Sequence, residues 1–290
     1  MKLVSFSTAD GSIQAGSLES LPHDFNGEYE HCVTGFSMDG TVKVLDVIAS
    51  GYKSHVEFTQ GRTSPVFPLE KVRLHAPLEN PPRVFAIGLN YRDHAMESGM
   101  AIPTTPVVFF KLQSAIIGPG ESIVLPKNST EPDYEAEFAF VIGKGGFRIP
   151  ASAWREHVYG YTIVNDVSAR DIQFATSQWT MGKSFPTFCP MGPAIVTADE
   201  IPDPHNLDIS LTIDGVVQQS SDTRELIFKV PELIEYLSSI TPLLPGDVVS
   251  TGTPCGVGLG RTPKRWLKPG ETVTITIDGL GSLTNPIVAE

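Results

Sequence analysis

Three carboxylates in two short stretches could hold a divalent cation. In Asp133-Tyr134-Glu135-Ala136-Glu137, two glutamates stand two residues apart, just ahead of an apolar run at 138–142 that Gly143 closes. Such a run predicts a strand buried on both faces. Side chains two apart in a strand point the same way, so Glu135 and Glu137 share a face and Ala136 points away. Two carboxylates at the head of a buried strand repel one another and resist desolvation, unless a cation lies between them. A second apolar run, Val158–Asn165, delivers Asp166. Three oxygen ligands without a soft one suit Mg²⁺ or Mn²⁺, with positions left for water and substrate. The alternative is that the two glutamates lie on a solvated strand edge.

A second constellation lies upstream. Residues 92–98 have helical composition, and Gly99 can end the helix. His94 and Glu97, at i and i+3, would then share a face. A carboxylate so placed orients an imidazole and raises its basicity, which a general base requires. A surface ion pair would have the same spacing.

These residues need a scaffold, and composition bounds it. The chain has 290 residues, 41% hydrophobic and 19% charged, which allows one large domain and a small satellite. A net charge of −12 argues against a nucleic-acid partner and against docking on an anionic membrane. A bound cation would still let a small anionic substrate enter. Cys32, Cys189 and Cys255 form no CxxC pair, so neither a disulfide framework nor a zinc knuckle is indicated. The opening residues turn polar before an apolar core of signal-peptide length develops, and no stretch reaches the roughly 18 apolar residues of a membrane span. The expected compartment is cytoplasmic.

Residues 1–70 read as a small accessory unit, with strand-like runs at 2–6 and 12–18 about an Asp10-Gly11 turn, and a short helix near 42–50. The proline- and charge-rich stretch 69–82 reads as a linker. The larger unit, 75–290, has buried strands at Val84–Gly88 and Val107–Lys111, hairpins near 207–218 and after 272, and one amphipathic helix, Val230–Ile240. Gly182-Lys183-Ser184 lacks the first glycine of a phosphate loop, and Gly256-x-Gly258-x-Gly260 meets Pro263 where a dinucleotide fingerprint needs a helix. The glycine loop is expected instead to bring backbone amides to an anionic ligand.

Six motifs in order resemble the fumarylacetoacetate hydrolase superfamily: Gly88-Leu89-Asn90-Tyr91 with His94 and Glu97; Phe110-Lys111; Asp133-Tyr134-Glu135-x-Glu137; Asn165-Asp166-x-Ser168-Ala169-Arg170-Asp171-x-Gln173; Gly182-Lys183-Ser184-Phe185; and Thr251-Gly252-Thr253-Pro254. The resemblance implies a mainly β (α+β) fold, a mixed β-roll or β-sandwich with a small amino-terminal β domain, and a homodimer. Ala136 stands where relatives often carry glycine. The further amino-terminal aspartate ligand of the true fumarylacetoacetate enzymes has no evident counterpart, which points to the smaller pyruvate-type branch.

By the same resemblance, Glu135, Glu137 and Asp166 hold Mg²⁺ or Mn²⁺, and the substrate is a small anionic 2-oxo or 2,4-dioxo acid. His94, Glu97 and Lys183 are then catalytic. Arg170, Gln173 and Thr253 bind substrate, with a salt bridge from Arg170 to Asp171 or Asp166 as the alternative, and Lys111 supports the site. The first expectation is hydrolysis of a C–C bond in acylpyruvates or fumarylpyruvate, as in aromatic catabolism, by a water that His94 activates. The second is an oxaloacetate tautomerase or decarboxylase, or a 2-hydroxyhepta-2,4-diene-1,7-dioate-type isomerase, on the same metal site.

Overall fold

Apolar runs too short to form helices must satisfy their backbone groups by pairing with one another, and here most of them join one long mixed sheet. The computed structural model describes the chain except residues 10, 21–30, 61, 62, 98 and 100. Among the described residues, the sheet runs in the order Val66–Pro68, His31–Gly35, Ile13–Ser20, Lys2–Ser7, Cys189–Thr197, Val158–Asn165, Ala136–Ile142, Val248–Ser250, Val84–Gly88, Val107–Lys111. A second sheet of five strands includes the hairpin Asp208–Ile213 and Val216–Asp222 and the pair Thr272–Ile277 and Gly281–Ala289. The fold is thus mainly β, as the sequence leads one to expect.

The strand Ala136–Ile142 is buried along its whole length. Phe138, Phe140 and Ile142 enter the core shared with the five-stranded sheet and with the helix Val230–Ile240. Ala139 and Val141, on the opposite side, join a separate core with Val164, Met191 and Val248. The helix has Pro231 in its first turn, where the missing N–H costs nothing, and it buries Val230, Leu233, Ile234 and Leu237.

Two connections differ from expectation. The stretch read as a linker contains a strand, Arg73–His75, that pairs with Lys2–Ser7. Ser7 Oγ lies 2.8 Å from His75 Nε2, and Ser5 Oγ donates to the Pro77 carbonyl at 2.9 Å. Charge and proline mimic a linker here because the strand is only three residues long and partly exposed. The first strand also pairs with Cys189–Thr197, Lys2 opposite Val196, so the main sheet continues into the amino-terminal residues. The strands Lys2–Ser7 and Ile13–Ser20 pair as the hairpin signal predicts; Asp10 itself lies outside the described residues.

Candidate active site

The acidic residues meet because two neighbouring strands end together. Ala136 pairs with Asn165 and Phe138 with Ile163, which sets Glu135 beside Asp166 at the strand ends. The Asp166 amide donates to the Glu135 carbonyl at 3.0 Å, and the Asn165 side chain accepts the Glu135 amide at 3.1 Å. Glu135, Glu137 and Asp166 are 4%, 1% and 0% exposed, so the solvated-edge alternative does not hold. One oxygen from each lies within 4.8 Å of the others.

Buried carboxylates so close need compensation. Lys183 Nζ donates to Glu135 Oε2 at 2.8 Å and to Asp166 Oδ2 at 2.7 Å. Lys111, also buried, donates to Asp166 Oδ1 and to the Lys183 carbonyl, which fixes it as support behind the site. Burial pushes the Glu135 pKa up, but Lys183 and Arg170 overcome that and hold it down at about 2. Glu137 has a different setting. Its Oε2 accepts from Ser250 Oγ at 2.5 Å and from the Gly252 amide at 3.0 Å. Among the described residues, no lysine or arginine pairs with it, whereas Arg170 and Lys183 both pair with Glu135. Burial, then repulsion from Asp166 and Glu135, drives its pKa well above the usual carboxylate range. This uncompensated buried carboxylate, in an all-oxygen set, fits a hard divalent cation.

The other site residues converge on a cavity of about 560 Å³. His94 and Glu97 lie on the helix Arg92–Glu97, with Nδ1 to Oε2 at 3.3 Å. His94 is only 8% exposed and both residues line the cavity, so the pair is not a surface contact. Burial raises the Glu97 pKa, but bonds from His94 and the Gly256 amide outweigh it, and the net shift is downward. The Gly256 amide meets the two Glu97 oxygens at 3.0 and 3.1 Å. Phe109 and Trp179 form an apolar wall of the cavity, their ring centroids 5.7 Å apart.

Three expectations are corrected or refined. Arg170 pairs with neither Asp171 nor Asp166. It contacts Glu135 at 2.6 Å and Asp133 at 2.8 Å, and its Nη1 donates to Gln173 Oε1 at 2.9 Å. Asp171 instead accepts from Ser129 Oγ and the Thr130 amide, because the turn that aims Arg170 inward aims its neighbour outward. The glycine-loop amides approach carboxylates of the chain itself: Gly256 serves Glu97, while Gly258 and Leu259 donate to Asp133 at 2.7 and 3.0 Å. Thr253 lines the cavity, and its Oγ1 accepts from Gln219 Nε2 at 2.8 Å.

Sequence reasoning missed Ser250, Gln219 and Lys264. Ser250 and Gln219 belong to ordinary strands, and only the pairing of those strands brings them to the site. Gln219 Oε1 accepts the Ala136 amide at 2.9 Å, tying the acidic strand to the Thr253 loop. Lys264 lines the cavity from a loop with no motif.

Residues 83–288 match the family model described as fumarylacetoacetate (FAA) hydrolase C-terminal, which takes in the triad, the His94–Glu97 pair and the cavity. The chain belongs to the fumarylacetoacetate hydrolase family. Within the family it is 46% identical over 226 residues to the oxaloacetate tautomerase FAHD2A, mitochondrial, of Bos taurus, covering 77% of this chain and 72% of that one. The structure of a 5-carboxymethyl-2-hydroxymuconate delta-isomerase from Mycobacterium smegmatis superposes with a TM-score of 0.79 at 35% identity, covering 100% of both chains. A fumarylacetoacetate hydrolase from psychrophilic Exiguobacterium antarcticum gives 0.85 at 34%, again with 100% of both chains covered.

Proposed function

We propose that this family member is a divalent-metal-dependent enzyme that interconverts the keto and enol forms of a dicarboxylic 2-oxo acid of the oxaloacetate type. The observation that carries the reading is that Glu135, Glu137 and the His94–Glu97 pair line one cavity, with Asp166 buried within 4.8 Å of the two glutamates. The bovine oxaloacetate tautomerase supports this reaction over the hydrolysis first expected.

Glu135, Glu137 and Asp166 would hold Mg²⁺ or Mn²⁺, which when bound withdraws electrons from the 2-oxo group and makes the adjacent C–H acidic. His94 has Nδ1 committed to Glu97, which leaves Nε2 to take the C3 proton. Glu97 is itself fixed by the Gly256 amide, so the imidazole is oriented before substrate arrives. Lys183 adds positive charge where the enolate oxygen develops, the proton taken by His94 returns to that oxygen to complete the enol, and Arg170, Gln173 and Thr253 border the space that the rest of the substrate would fill. Phe109 and Trp179 limit water around the exchanging proton.

Double-bond isomerisation and C–C hydrolysis form the second reading, favoured by the Mycobacterium and Exiguobacterium structures. Hydrolysis would need His94 to activate a water rather than to remove a proton from carbon.

The test is to follow freshly dissolved oxaloacetate by ultraviolet absorbance and NMR, with Mg²⁺ or with EDTA. Faster approach to the same keto–enol ratio, without pyruvate or CO₂, is the expected result. Metal-dependent acid fragments from acylpyruvates, with no effect on oxaloacetate enolisation, would overturn it. A homodimer and a cytoplasmic setting belong to the same proposal. Light scattering tests the first, and cell fractionation tests the second against the mitochondrial label in the bovine relative's name.

A further inference from the structure

The cavity is polar at its inner end, and among the described residues one of its lining cations has no carboxylate partner. Its positively charged lining side chains are Arg170, Lys183, Arg261 and Lys264. Arg170 and Lys183 are engaged by the buried carboxylates. Arg261 Nη2 donates to the Gln218 carbonyl at 2.5 Å, and its Nε lies 3.2 Å from both Tyr134 Oη and the Gly256 carbonyl. Lys264 is exposed, and its Nζ lies 5.5 Å from the centroid of the Trp266 ring. Among the described residues, no carboxylate pairs with it, although two neighbours on the loop are anchored. The Arg265 amide donates to the Gly258 carbonyl at 3.0 Å, the Arg265 side chain pairs with Glu271 at 2.8 Å, and the Leu267 amide donates to the Pro132 carbonyl at 2.8 Å. The backbone beside Lys264 is therefore fixed, and its ammonium, which rests over the Trp266 ring, has no carboxylate partner to give up on turning to the cavity mouth.

Size points the same way. Cavities of roughly 300–1,000 Å³ suit drug-sized ligands, and this one, at about 560 Å³, exceeds the needs of a four-carbon acid. A substrate whose 2-oxo acid end sits at the carboxylate triad extends its other end toward the rim.

We infer that Lys264 binds a second, distal carboxylate and so sets specificity for linear dicarboxylic 2-oxo acids, with chains longer than four carbons favoured. The inference rests on the proposed 2-oxo acid site and adds the feature that recognises the far end of the substrate. An exposed lysine over an otherwise walled cavity gives a modest but measurable preference.

The experiment is calorimetric binding of 2-oxoadipate and 2-oxohexanoate, equal in chain length and differing in the distal carboxylate, to the full chain in saturating Mg²⁺. The wild type is expected to favour the diacid by about three- to tenfold. K264M should bring that ratio near one, K264R should retain most of it, and K268M, which alters an exposed lysine outside the cavity lining, should leave it as in the wild type. A ratio that survives K264M, or that falls equally in K268M, overturns the role of Lys264. Equal binding of both acids by the wild type overturns it too, and leaves the tautomerase reading standing if oxaloacetate is still enolised. Binding of neither acid removes the 2-oxo acid site and this inference together.

Discussion

Lys183 Nζ donates to Glu135 Oε2 across 2.8 Å, with both side chains almost wholly buried. The same ammonium also reaches Asp166, so one lysine screens two of the three carboxylates and leaves Glu137 without a cationic partner. That asymmetry separates what each acidic residue contributes to stability from what it contributes to metal binding.

Lys183→Met should be strongly destabilising without metal, because it leaves buried carboxylates uncompensated. Breaking one partner of such a pair costs about 3–5 kcal/mol. Urea melts should show this loss, and added Mg²⁺ should restore part of it by supplying a cation to the same oxygens. A melt insensitive to both changes would contradict the arrangement.

Glu137→Gln should behave differently. Burial and repulsion already favour the protonated form of Glu137, which the amide resembles in shape and charge. Metal-free stability should change by about 1 kcal/mol or less, whereas Mg²⁺ affinity should fall by at least about 100-fold. Titration calorimetry and thermal melts with and without metal read the two effects separately.

Acid should weaken the site through Glu135. Its folded pKa, about 2, lies below the ordinary value of 4.5. The associated stability is therefore fully present above pH 4.5 and disappears as pH falls from there toward 2. Glu97, also shifted downward, acts with the same sign. Between pH 6 and pH 2, the stability of Glu135→Gln should fall less steeply than that of the wild type. Parallel slopes in urea melts would exclude the assigned shift.

His94→Gln should slow proton transfer by about 10²- to 10⁴-fold. Mg²⁺ affinity should stay close to that of the wild type, since the His94 ring pairs with Glu97 and not with a carboxylate of the triad. Loss of metal binding in this variant would place His94 among the ligands instead.

Gly88 tests the apolar wall. A Cβ at this position would lie 2.3 Å from the Trp179 ring, so Gly88→Ala must displace the indole. The fold should survive, because Trp179 is partly exposed and can swing aside. A changed tryptophan emission together with a raised KM would report the displaced wall, and an unaltered spectrum would show that the ring does not rest there.

The sequence alone determined that Glu135 and Glu137 share a face, because strand alternation fixes this whatever they later meet, whereas the pairing of Ala136–Ile142 with Val158–Asn165 brought Asp166 to them. It also determined the helix Val230–Ile240, whose apolar spacing has one amphipathic solution. The His94–Glu97 spacing was equally legible, but spacing could not distinguish a cavity pair from a surface pair. Burial and the Gly256 amide decided that, and the amide comes from a loop 159 residues away along the chain. Tertiary structure also decided that Arg170 turns to Asp133 and Glu135, that Ser250 caps Glu137, and that Lys264 overlooks the cavity. The physical reason is common to all of these. A local pattern reports which way a side chain leaves its own backbone, whereas its partner is set by strand pairing and loop closure between distant segments.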